Sequence, residues 1–66
     1  MNIFINDVSK VIPDKTALQH ALELLNIETH GAAVAVNQEI IHQGSWCDFV
    51  LSENDELVIF KLVTGG

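Results

Sequence analysis

The sequence predicts an α+β domain in which one helix packs across a mixed sheet. Three observations point to it. Stretches with the two-residue period of strands open and close the chain, and a single stretch of helical spacing lies between them. The order hairpin, helix, short strands, final strand then sets that helix against one sheet. No repeat, linker or low-complexity segment divides the chain, so residues 1–66 read as one domain with residues 63–66 as a flexible C-terminal tail.

Each element follows from its residues. Met1, Ile3 and Ile5 alternate with Asn2, Phe4 and Asn6, which predicts a strand with its odd positions on the core. Asn6 and Asp7 form a turn, Val8 to Ile12 returns as a second strand, and Pro13-Asp14 ends this hairpin. The helix is predicted over about residues 16–26. Thr16 and Gln19 have the spacing of a capping box, and Leu18, Ala21, Leu22 and Leu25 fall on one face with Gln19, His20 and Glu23 opposite.

After a connection from Ile27 to Gly31, Ala32 to Val36 is too short for a second helix and reads as a strand. Asn37-Gln38 turns the chain into a short strand, Ile40 to His42. Gly44 to Phe49 is irregular, with Trp46 and Phe49 pinning the loop over the core. Ser52 to Glu56 is a polar turn, and Leu57 to Leu62 is the last strand.

Composition narrows the function. A chain of 66 residues buries only about 60% of its unfolded surface, but 48% of its residues are hydrophobic, enough for one core without metal or disulfides. Cys47 is the single cysteine, which fits a reducing compartment. The N-terminal residues lack a signal-peptide pattern, and no run approaches the roughly 20 apolar residues of a membrane span, so a cytoplasmic location is expected. Nine acidic residues against three lysines and no arginine give a formal charge of −6. That charge repels phosphate backbones and anionic lipid; a basic patch on a protein partner suits it better.

Two features point to a function. If Leu57 and Ile59 face the helix, then Val58, Phe60 and Leu62 point away from it, with Ala33 and Ala35 expected on the same outer side. A chain this short has nothing left to cover such an apolar face, which favours a partner surface over a second core layer. The other feature is the end, Val63-Thr64-Gly65-Gly66. At average glycine usage, two glycines in the last two places occur by chance in about 0.5% of chains. Extended, these four residues reach roughly 14 Å, and the glycines make the end as thin as a polypeptide can be. Such a probe suits a carboxylate that must enter a narrow active site.

The opening Met1-Asn2-Ile3-Phe4-Ile5, the single helix, the late Asn54-Asp55-Glu56-Leu57 turn into a strand, and Gly65-Gly66 together resemble the β-grasp, ubiquitin-like fold, with a mixed four- to five-stranded sheet. Ala33-Val34-Ala35-Val36-Asn37, the following Glu39-Ile40-Ile41, and Trp46 resemble the thiamine-biosynthesis sulfur carriers, ThiS. One departure is Asn54, where such carriers usually place glycine; asparagine tolerates the left-handed conformation required there.

The resemblance implies a protein cosubstrate rather than an enzyme. Its Gly66 carboxylate is adenylated by a ThiF-like enzyme with ATP and Mg²⁺ and converted to a thiocarboxylate with sulfur from a persulfide donor. It then gives that sulfur to a ThiG-like thiazole synthase. Gly65 and Thr64 thread the partner's channel; Val58, Phe60, Leu62, Ala33 and Ala35 form the recognised face. The chain itself holds no cofactor in this scheme. A molybdopterin-synthase small-subunit-like carrier, a ubiquitin-like modifier and a plain interaction module remain open at this stage.

Other chemistry finds little support. His20, His30, His42 and Cys47 have no metal-ligand spacing. Gly44-Ser45-Trp46-Cys47-Asp48 lacks the GxSxG form, and no glycine-rich loop opens the helix. His20 and Glu23 read as a solvated helix face and Cys47 as an inert small residue.

Overall fold

Ile3 and Ile5 are buried while Asn2 is exposed and Phe4 half-buried, so the alternation of the first residues does direct one side of a strand into the core. The computed structural model describes residues 1–61 and contains β1 (Asn2–Ile5), β2 (Val8–Val11), α1 (Leu18–Leu24), β3 (Ala32–Val36), β4 (Glu39–Ile41) and β5 (Glu56–Lys61). The strands form one mixed sheet in the order β2-β1-β5-β3-β4. Only the central β1–β5 pair is parallel; the others are antiparallel.

Both hairpins turn on two residues with positive φ, Asn6 and Asp7 at 49° and 70°, and Asn37 and Gln38 at 50° and 73°. This is the type I′ geometry, whose twist matches that of the flanking strands. Asn54 also has positive φ, at 67°, as expected for an asparagine standing in a left-handed position.

The core lies between the sheet and α1. Leu18, Ala21 and Leu22 of the helix meet Ile3, Val34 and Leu57 of the strands, all buried. Trp46 closes one side, 1% exposed, and Phe49 packs half-buried against the same cluster. The pinned loop is therefore present, although Gln43–Ser45 within it forms a 3₁₀ turn rather than irregular chain.

The helix is shorter than the predicted 16–26, and the expected capping box does not form. Ala17 occupies the N-cap position without a side-chain bond, while the Thr16 hydroxyl donates to the Pro13 carbonyl at 2.6 Å. The first-turn N–H groups of Leu18 and Gln19 donate instead to the Phe49 and Trp46 carbonyls, at 2.7 and 3.0 Å. A long-range backbone contact thus replaces the local cap, and Gln19 reaches forward to Glu23 at 3.3 Å. At the other end Asn26 turns left-handed, φ 55°, with its N–H on Glu23 and that of Ile27 on Leu22. These are the two bonds of a Schellman motif, and they stop the helix before residue 26.

The remaining boundaries differ by a residue. β2 ends at Val11 rather than Ile12, β4 runs Glu39–Ile41 rather than Ile40–His42, and β5 starts at Glu56. Leu62, expected to end β5, lies outside the described residues.

Candidate partner-binding face

Alternation along β5 buries Leu57 and turns Val58 and Phe60 to the outer side of the sheet, away from the helix. In β3 the same alternation buries Val34 and Val36 beneath the helix. Residues directly opposite in an antiparallel pair share a face. The β3–β5 register sets Ala33 opposite Phe60 and Ala35 opposite Val58, so the expected outer face is assembled from both strands.

The face has relief. Val58 is 47% and Phe60 38% exposed, whereas Ala35 is only 7% exposed because it sits low between Val58 and Ile40. Ala35 is the floor of the surface more than a contact point on it. Ile40, opposite Ala35 across β4, is 62% exposed and extends the apolar area toward the sheet edge. Sequence reasoning missed Ile40 on this face, because a strand of three residues with isoleucine at both 40 and 41 shows no alternation to mark which side chain points outward.

One end of the face is polar. Asn37, Gln38, Glu56 and Val58 line a shallow depression there. Asn37 ties the β3–β4 turn to the start of β5, accepting from the Glu56 N–H and donating to the Asp55 carboxylate, each at 3.0 Å. Asp55 in turn accepts from the Ser52 N–H at 2.7 Å, fixing the polar turn that precedes β5.

His20, His30, His42 and Cys47 are exposed and come from different parts of the fold. Among the described residues no group of three His, Cys, Asp or Glu could hold a metal ion, and no helix is long and apolar enough to cross a membrane. Thr64, Gly65 and Gly66 lie outside the described residues, as does Leu62 of the expected face.

The model of the ThiS family matches residues 3–66. The chain belongs to the ThiS family. It is 29% identical over 66 residues to the Sulfur carrier protein ThiS of Escherichia coli (strain K12), covering the whole of both chains. A crystal structure of a thiamine biosynthesis protein (ThiS) from Geobacter metallireducens superposes with a TM-score of 0.89 at 16% identity, with full coverage of each chain. A solution structure of a thiamine biosynthesis protein from the same organism gives 0.74 at 16% identity, covering 100% of this chain and 88% of that one. At that identity the two structures establish the shared fold, which meets the β-grasp expectation with five strands and one helix. The resemblance to ThiS read from residues 33–41 and Trp46 is met at the level of the family.

Proposed function

We propose that this ThiS-family chain is a cytoplasmic sulfur carrier of thiamine biosynthesis and that the Gly66 carboxylate is the group it offers. Family membership across residues 3–66 carries the reading. A carboxylate is fully ionised at neutral pH and a poor electrophile. A ThiF-like enzyme, using ATP and Mg²⁺, joins it to AMP with loss of pyrophosphate. A persulfide sulfur then attacks the acyl carbon and displaces AMP, and reductive cleavage of the sulfur–sulfur bond leaves a C-terminal thiocarboxylate. That sulfur is nucleophilic and can be delivered to a ThiG-like thiazole synthase.

The chain's own part is recognition and reach. The apolar outer face of Val58, Phe60, Ala33 and Ala35, joined by Leu62, docks the partner, and Thr64 and Gly65 thread the carboxylate into it. In this reading the chain supplies no acid, base or nucleophile to the adenylation, so it is a cosubstrate rather than an enzyme.

Intact-mass measurement of the chain tests the proposal after incubation with ATP, Mg²⁺, a ThiF-type enzyme, a persulfide donor and reductant. One terminal oxygen exchanged for sulfur is expected. A terminus that stays a carboxylate, or high-mass conjugates to lysines in its place, rejects the carrier role.

A further inference from the structure

β1 pairs with β5 over only two residues, Phe4 with Glu56 and Ile5 with Leu57, because the chain reverses at Asn6 and Asp7. The hydrogen-bond ladder nevertheless continues. The N–H groups of Phe4 and Asn6 donate to the Asp55 and Leu57 carbonyls, each at 2.9 Å. In a regular parallel ladder the next rung needs an acceptor for the Ile59 N–H and a donor for the Ile59 carbonyl. β1 has no backbone left to supply them.

The Asn6 side chain supplies both. Its Oδ1 accepts from the Ile59 N–H at 3.0 Å, and its Nδ2 donates to the Ile59 carbonyl at 3.3 Å. A primary amide carries the same donor and acceptor as a peptide group, so this side chain stands in for a missing piece of strand. On its other edge β5 is paired with β3 as far as Lys61; on the β1 edge Asn6 is the last described partner. Ile59 lies between Val58 and Phe60, at the level of the outer face, and from Lys61 the chain continues to the terminal glycines.

We propose that Asn6 is a positioning residue whose amide sets the direction of β5 from Ile59 to Lys61, and with it the approach of the C-terminal carboxylate to a partner already docked on the outer face. The functional consequence rests on the sulfur-carrier reading; the effect on β5 does not. A strand held along both edges resists the twisting that a strand held along one edge allows. Losing this preorganisation weakens productive binding and leaves the chemical step alone.

Asn6→Gly tests this, because glycine accepts the left-handed turn conformation at position 6 and removes only the amide. Relative to wild type, amide-exchange protection at Ile59 falls by about tenfold while that at Ile3 and Val34 is retained. Residual dipolar couplings show the Ile59 and Lys61 N–H vectors turned away from their original directions. With a ThiF-type enzyme that converts the wild-type chain, the KM for the carrier rises about 3- to 10-fold and kcat is unchanged. Asn6→Asp supplies a rescue. Its ionised carboxylate has no donor for the Ile59 carbonyl, its protonated form has both groups, and the vectors return toward wild type as it protonates. Unchanged exchange and vectors in Asn6→Gly overturn the proposal, as does an unchanged KM where the vectors do move. A wild-type chain that no such enzyme converts rejects the sulfur-carrier reading, and the dipolar couplings still decide the role of Asn6.

Discussion

The indole nitrogen of Trp46 donates to the Ile41 carbonyl at 2.9 Å, inside the core. This bond fastens the loop after β4 to the strand it has just left. Because the Trp46 carbonyl also accepts the Gln19 N–H, the same residue joins the loop to the first turn of the helix. One side chain and its backbone thus hold sheet, loop and helix together.

Trp46→Phe removes the hydrogen bond and part of the buried volume and is expected to cost about 1–3 kcal/mol. Trp46→Ala leaves a larger cavity and costs about 3–5 kcal/mol, enough to unfold much of so small a domain. Urea titration of both variants measures this. Equal midpoints for Trp46→Phe and wild type would show that neither the bond nor the packing matters.

The β3–β4 turn can be improved. Gln38 has φ 73°, a conformation that costs a side-chain-bearing residue more than glycine, and Asn-Gly is the preferred pair for this turn. Some of the gain is offset by the greater freedom of glycine in the unfolded chain. Gln38→Gly is therefore expected to stabilise by on the order of 0.5–1 kcal/mol, read as a higher denaturation midpoint with the same slope. A fall in stability would mean that the Gln38 side chain makes a contact worth more than the strain.

Much of this fold was legible locally. The alternation of Ile3 and Ile5, of Leu57 and Val58, and the spacing of Leu18, Ala21 and Leu22 follow from one buried face per element, a property of the segment itself. The start of the helix was not legible, because its first N–H groups are satisfied by Trp46 and Phe49, about thirty residues away, rather than by Thr16. Asn6 was read only as a turn residue. Its bond to Ile59 joins positions 53 apart and leaves no trace in any local pattern. The outer face was legible in β5 and β3 but not in β4, where a three-residue strand is too short to show its period and Ile40 passed as ordinary strand composition.

The outer face makes a prediction that separates packing from recognition. Phe60 is 38% exposed and Leu57 1% exposed, on opposite sides of the same strand. Phe60→Asp is expected to change stability by about 1 kcal/mol or less while weakening the complex with a ThiF-type partner by at least about tenfold. Leu57→Ala should do the reverse, costing about 2–5 kcal/mol through its cavity and affecting binding only through the loss of folded protein. Thermal melts and titration calorimetry on the two variants decide the matter. A large fall in the Phe60→Asp midpoint would make Phe60 a core residue, and undiminished binding would remove it from the partner face.

In the proposed sulfur-carrier reaction, a methyl group on residue 66 would occupy space beside the acyl carbon, where the partner has to bring both the α-phosphate of ATP and, later, a sulfur nucleophile within bonding distance. Misplacing a reacting atom by about 1 Å can cost on the order of 10²-fold in rate. Gly66→Ala is therefore expected to lose conversion by that order in an ATP–pyrophosphate exchange assay, with its thermal midpoint unchanged because a glycine has no side chain whose burial the substitution could remove. Adding one alanine after Gly66 should also abolish exchange, since it moves the carboxylate beyond the reacting position. Full exchange by either variant would mean that the partner does not read a bare glycine carboxylate at a fixed distance from β5, and the carrier mechanism would have to be abandoned in this form.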